Sequence, residues 1–226
     1  MTSELGSALV VALTYGVAVA VAGVPVVVLA FVLASSRPAP VGLGLAGGWA
    51  LGLAVALGVV IAVSDVAVAA SDGSDPPSNV ALAWVRIAAG VALLVLGARS
   101  WQARGSAKQP AWMKGVAGWS PRKAFSTGFA LGAVNPKNLA IIASATSALL
   151  EATTSPALHV PAVLLFAIVG SIGVAGPVLY RVAGGEGALR ALEHGDRWLQ
   201  ARATMLSAVV LAVLGVIVLV NGVTAL

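Results

Sequence analysis

The sequence predicts an all-α integral membrane protein of six transmembrane helices, and three observations predict it. Of its 226 residues 59% are hydrophobic and only 9% charged, with a mean hydropathy of +1.00. A water-soluble domain carries about 25% charged residues, so this chain has too little charge to cover a wetted surface. Six apolar runs each reach the roughly 20 residues that a helix needs to cross the hydrocarbon core. The basic residues, finally, collect on alternate connections between those runs.

The runs extend from about Leu5 to Ala34, Val41 to Ser64, Val80 to Ala98, Pro121 to Leu150, Pro156 to Tyr180 and Thr204 to Val223. The connections after runs one, three and five carry Arg37, then Arg99, Arg104, Lys108, Lys114, Arg122 and Lys123, then Arg181, Arg190, Arg197 and Arg202. The opposite side, with both termini, has no Lys or Arg but holds Glu4, Asp72, Asp75 and Glu151. Cytoplasmic loops are enriched in Lys and Arg, so the basic side is the cytoplasm and both termini are extracytoplasmic in a plasma (inner) membrane. The first run is too long for the core of a cleavable signal, and Glu4 stands where a basic segment would precede one.

The expected organisation is one transmembrane domain, 1–226. Residues 1–98 form a first three-helix repeat, 99–120 a basic cytoplasmic loop, and 121–226 a second repeat with an interfacial helix at about 187–203. Trp101, Trp112 and Trp119 interleave with the bases of the loop, and Trp198 sits in the interfacial segment. Tryptophan with Arg and Lys favours the headgroup layer.

Composition also excludes classes of function. The chain has no cysteine, hence no disulfide, thiolate metal site or cysteine nucleophile. It shows no metal-ligand spacing, phosphate-binding loop or nucleophile elbow. No cofactor, metal, enzymatic activity or nucleic-acid partner is expected. A membrane-embedded enzyme is disfavoured because no acid and base pair up at membrane depth.

The chemistry concentrates at Asn135-Pro136-Lys137-Asn138, within run four. Run four opens on Ser120-Pro121, a favoured N-cap followed by Pro at the first helical position. That start puts Lys137 near the bilayer centre. An intramembrane Lys costs about 2.5–3.5 kcal/mol on insertion scales and marks a functional site. Pro136 cannot donate to the preceding turn, so the helix should break there and restart with Asn135 as N-cap. A restarted helix offers free N–H groups and a positive dipole end beside the ammonium, a site for carboxylate, phosphate or sulfate. A kink with Lys137 paired to a carboxylate is the bland alternative.

Run one has a weaker counterpart in Gly23-Val24-Pro25. Two interrupted helices at corresponding places suggest a 3+3 inverted repeat, and transporters place substrate at such breaks. Gly44, Gly48 and Gly52 in run two, and Gly170, Gly173 and Gly176 in run five, have the spacing of close helix crossings. Arg86 lies about two turns into run three and Asp65 ends run two on the same side. A structural Asp65–Arg86 pair accounts for both, with a second anion contact at Arg86 or proton coupling at Asp65 as alternatives. His159 and His194 have no assigned role.

With these residues assembled, the chain resembles the LysE superfamily of exporters, which share Asn-Pro-Lys in the fourth of six helices and a Pro break in the first. Trp119-Ser120-Pro121-Arg122-Lys123-Ala124-Phe125, Gly128-Phe129, Ala133-Val134-Asn135-Pro136-Lys137-Asn138-Leu139 and Gly47-Gly48-Trp49-Ala50-Leu51-Gly52-Leu53 are similar to the actinobacterial GAP-type, or sulfolipid- and peptidoglycolipid-addressing, proteins. Run one carries Gly-Val-Pro-Val in place of the fuller two-proline form of that family. The resemblance implies movement of large acylated glycolipids to the cell surface, with membrane lipids, an anionic lipid or glycolipid substrate, lipid-synthesis or export partners and a homo-oligomer as associations. Export of amino acids or other small solutes, and a non-transporting scaffold of a lipid-export complex, are the alternatives.

Overall fold

Long apolar stretches without internal charge can satisfy their backbone only as helices in a medium without water. The computed structural model describes residues 2–22, 38–70, 79–103, 118–153 and 155–226, and among them it has six helices and no strand. These are α1 (Thr2–Ala22), α2 (Pro38–Ala70), α3 (Asn79–Gln102), α4 (Pro121–Ala133), α5 (Pro136–Ala152) and α6 (Pro156–Val223). Helix α6 counts 68 residues because two helices join at Gly185, whose φ of 55° and ψ of −135° lie outside the helical region. Such a φ suits glycine, which has no Cβ to clash. Beyond Gly185 the backbone is helical through 187–203 and on to Val223.

Among the described residues five stretches are long and apolar enough to cross a membrane: Ser3–Val21, Ala39–Ser64, Ala83–Gln102, Pro156–Ala188 and Met205–Val223. Their outward faces carry Val10, Leu13, Val17, Val59, Val63, Ile168, Ile172, Val213 and Val216, all exposed. An apolar exterior of this extent is untenable in water and fits acyl chains. The protein is therefore a multi-pass helical membrane protein. Helices α4 and α5 have 13 and 17 residues, or about 20 and 26 Å, so neither spans a core of about 30 Å alone.

The centre of the bundle is α5, which packs against α1, α2 and α3. Nine of its residues are buried, including Asn138, Ile141, Ile142, Ser144 and Ser147. Trp49, Phe166, Leu53, Leu93 and Leu211 are among the largest fully buried side chains of the core. The indole of Trp49 donates from Nε1 to the Gly170 carbonyl at 3.2 Å, joining α2 to α6.

Helix α4 sits at the edge and buries only Ala124, Gly128 and Gly132. It lies along α2 in a parallel crossing with no side chain between the two backbones. A Cβ on Gly44 would stand 2.6 Å from the Pro121 carbonyl oxygen, and Cβ atoms on Gly48 and Gly52 would collide with the carbonyls of Phe125 and Phe129. From the other side, a Cβ on Gly132 would lie 2.6 Å from the Trp49 carbonyl oxygen. The glycine spacing of run two is thus a close helix crossing, stabilised by dispersion contacts between backbones. In run five Gly173 abuts the Ala20 carbonyl of α1, whereas a Cβ on Gly176 would meet nothing within 4 Å among the described residues.

Candidate functional site

The connection between α4 and α5 is two residues, Val134 and Asn135, and each end of it is closed locally. Ser120 caps the start of α4 by accepting from the Lys123 N–H at 3.2 Å, with Pro121 at the first helical position. At the far end, the Val134 N–H donates to the Ala130 carbonyl. Asn135 takes an extended backbone (φ −64°, ψ 125°), and its side chain accepts from the Lys137 N–H at 3.0 Å, so α5 begins at Pro136 with a capped first turn. The Asn135 carbonyl then accepts from the Leu139 N–H at 2.9 Å.

Asn138 closes the gap from the other direction. It is fully buried, and its Nδ2 donates to the carbonyls of Leu131 at 3.0 Å and Gly132 at 3.1 Å. Those carbonyls belong to the last turn of α4, which has no further helical donors for them. The two acceptors also fix the amide orientation. Its oxygen faces the opposite way, buried and without a hydrogen-bond partner among the described residues.

These bonds change the electrostatics expected of a restarted helix. Pro136 has no N–H, and the Asn135 side chain takes that of Lys137, which leaves the Asn138 N–H ahead of the first helical bond, Leu139 N–H to the Asn135 carbonyl. The first turn therefore offers an anion mainly the Lys137 ammonium and the helix dipole, in place of a fan of free amides. The Lys137 side chain is half-buried, and among the described residues no carboxylate pairs with it. The end of α4 that precedes it lies level with the middle of α2: Gly52, at the middle of Ala39–Ser64, faces Phe129 and Ala133.

The remaining candidates are dispersed. Gly23 and Pro25 lie outside the described residues, as does the side chain of Asp65. Arg86 is buried, with 6% of its surface exposed, and does not approach Lys137. Its Nη2 pairs with Glu151 at the end of α5, and its Nε donates to Ser147 Oγ at 2.7 Å. Tyr15 of α1, also buried, lies within electrostatic reach of both charges. Glu151, Ser147 and Tyr15 were not among the residues the sequence singled out. The available signal was the fourteen-residue interval from Lys137 to Glu151, which returns to the same helix face. Trp119 is buried, with the Lys123 ammonium 4.8 Å from its ring centroid, and is not a free headgroup anchor. Among the described residues no group of His and acids has the arrangement of a metal site.

The fold thus defines a helical multi-pass membrane protein with a helix restart at Pro136 and, among the described residues, no carboxylate paired with Lys137. The family model for Sap, the sulfolipid-1-addressing protein, matches residues 12–224, and the chain belongs to that family. No curated protein and no solved structure gives a significant match.

Proposed function

We propose that this chain exports an anionic, acylated lipid toward the cell surface, with the headgroup bound at Asn135, Pro136, Lys137 and Asn138. The observation that carries the proposal is the Lys137 ammonium, half-buried at the level of the α2 midpoint with no carboxylate beside it among the described residues. A cation kept at that depth without a counter-ion is costly unless an anion visits it. The family's name refers to sulfolipid-1, and a sulfolipid headgroup is anionic. Pro136 preserves the break, Asn135 caps it, and Asn138 holds the end of α4 while offering its oxygen to a ligand hydroxyl or water.

In this reading α4 and α5 together make the sixth span, and the chain is an inverted repeat. Helix pairings support it. Exchange α1 with α4–α5, α2 with α6 before Gly185, and α3 with α6 after Gly185. The crossing of α1 with α6, where Gly16 meets Val169 and Gly173 meets Ala20, then becomes the crossing of α2 with α4. Both are parallel and glycine-lined. The antiparallel contacts of Leu53 with Gly170, and of Gly90 with Leu219, map onto themselves. Alternating movement of two such halves about Lys137 would expose the headgroup inward and then outward.

Replacing Lys137 with Ala tests the site. The variant should accumulate to normal levels and lose surface lipid and lipid co-purification in native mass spectrometry, and Lys137→Arg should retain part of both. Normal export by Lys137→Ala refutes the assignment. Export that survives there but fails when the basic loop 99–120 is altered would favour a scaffold.

A further inference from the structure

Helix α5 carries Lys137, Ser144 and Glu151 at intervals of seven residues. Seven residues turn a helix through about 700°, roughly 20° short of two turns, so the three side chains share one face, and Ser147 stands beside them. From Lys137 to Glu151 this face runs about 21 Å along the axis, at 1.5 Å per residue, its polar side chains interleaved with Ala140 and Ala148. Ser144 and Ser147 on it are buried. It ends at Arg86, which binds Ser147 and Glu151 together.

The two partners of that pair differ in environment. The Arg86 side chain is 7% exposed and the Glu151 side chain 56%. Glu151 can turn to water at little cost, whereas a buried guanidinium stripped of its counter-charge is heavily penalised. Helices α3 and α5 therefore part at this point only if another anion takes the carboxylate's place. We propose that Arg86 is a second anion contact and that its pair with Glu151 closes the outer end of the α5 face, opening when an anionic headgroup displaces Glu151. The outward direction and the lipid nature of that anion rest on the export reading; the closure itself does not.

The chain has no cysteine, so Ser144→Cys introduces a single thiol midway along the face. In phosphatidylcholine nanodiscs a charged thiol reagent should label S144C slowly, S144C/E151Q at least about tenfold faster, and S144C/R86E/E151R slowly again, with size exclusion and circular dichroism reporting the fold of each. Inorganic sulfate provides a second measurement that needs no pair-breaking variant. It should speed labelling of S144C relative to chloride at equal ionic strength, because it competes with Glu151 for Arg86. Equal labelling with and without Glu151, or no effect of sulfate, overturns the proposal even if Lys137→Ala blocks export. The predicted changes in a protein whose Lys137→Ala variant exports normally would leave the gate standing and remove the mid-membrane site.

Discussion

Gly132 is the residue whose replacement should most directly disturb the helix interruption. It sits in the last turn of α4, its carbonyl accepts from Asn138, and its α-carbon faces the α2 backbone. A Cβ there would stand 2.6 Å from the Trp49 carbonyl oxygen, where ordinary contact begins at 3.4 Å, so Gly132→Ala must move the two helices apart by about 0.8 Å. The obstacle is backbone, which cannot rotate aside as a side chain would. Overpacking of this kind costs about 1–3 kcal/mol. The matched control is Gly58→Ala on α2, where nothing lies within 4 Å, and where helix propensity should yield a gain of about 0.5–1 kcal/mol. The two variants add the same methyl group and should differ by about 1.5–4 kcal/mol in reversible unfolding by SDS from mixed micelles. If G132A unfolds at the same SDS fraction as G58A, the α2–α4 crossing is not as close as described, and the depth assigned to Lys137 through it fails as well.

Other outcomes follow from single contacts. Asn138→Asp puts a carboxylate against the Leu131 and Gly132 carbonyls, and should cost more than the about 1–3 kcal/mol of an unsatisfied buried group, read in the same unfolding assay. Arg86→Leu alone strips Ser147 and Glu151 of their partner and should destabilise, whereas R86L/E151L should recover most of the loss, since an apolar pair replaces an ionic one at little net cost. Ser120→Ala removes the cap of α4 and should cost about 1 kcal/mol, without altering lipid co-purification. Lys137→Met should make the protein more resistant to unfolding, by up to the about 2.5–3.5 kcal/mol that an intramembrane Lys costs, while export is lost. A destabilised K137M would mean that the ammonium is a structural partner.

What the sequence made legible was what depends on neighbours along the chain. Run length and scarce charge specify apolar helices, Ser120-Pro121 specifies a capped start, and the four-residue glycine spacing of run two specifies a close crossing. Contacts between distant segments were not legible. Arg86 and Ser147 are 61 residues apart, and nothing local marks Glu151 as a partner of a guanidinium near the acidic side. The rotation and register of α5 against α3 decide that, through packing of buried residues on several helices at once. At the restart of α5 the local signal was sound but incomplete. Asn135 is an N-cap by type, yet how many amides remain for a ligand depends on where its side chain and carbonyl turn.

Why the interruption persists can be argued from which helices its two halves belong to. Helix α4 is attached through its glycine face to α2, whereas α5 is embedded among α1, α2 and α3; the two touch each other little although they are consecutive. A continuous helix would have to satisfy both neighbourhoods with one axis. Breaking it at Val134 and Asn135 removes that constraint but exposes helix ends at membrane depth, each unsatisfied group there costing several kcal/mol. Two asparagines meet much of that cost, Asn135 on the starting side and Asn138 on the ending side. Neither repair calls for a cation. Had the break served only to fit two packing neighbourhoods, an apolar residue at position 137 would have been cheaper, so the ammonium is the part of the motif that architecture leaves unexplained and that the proposed headgroup site would account for.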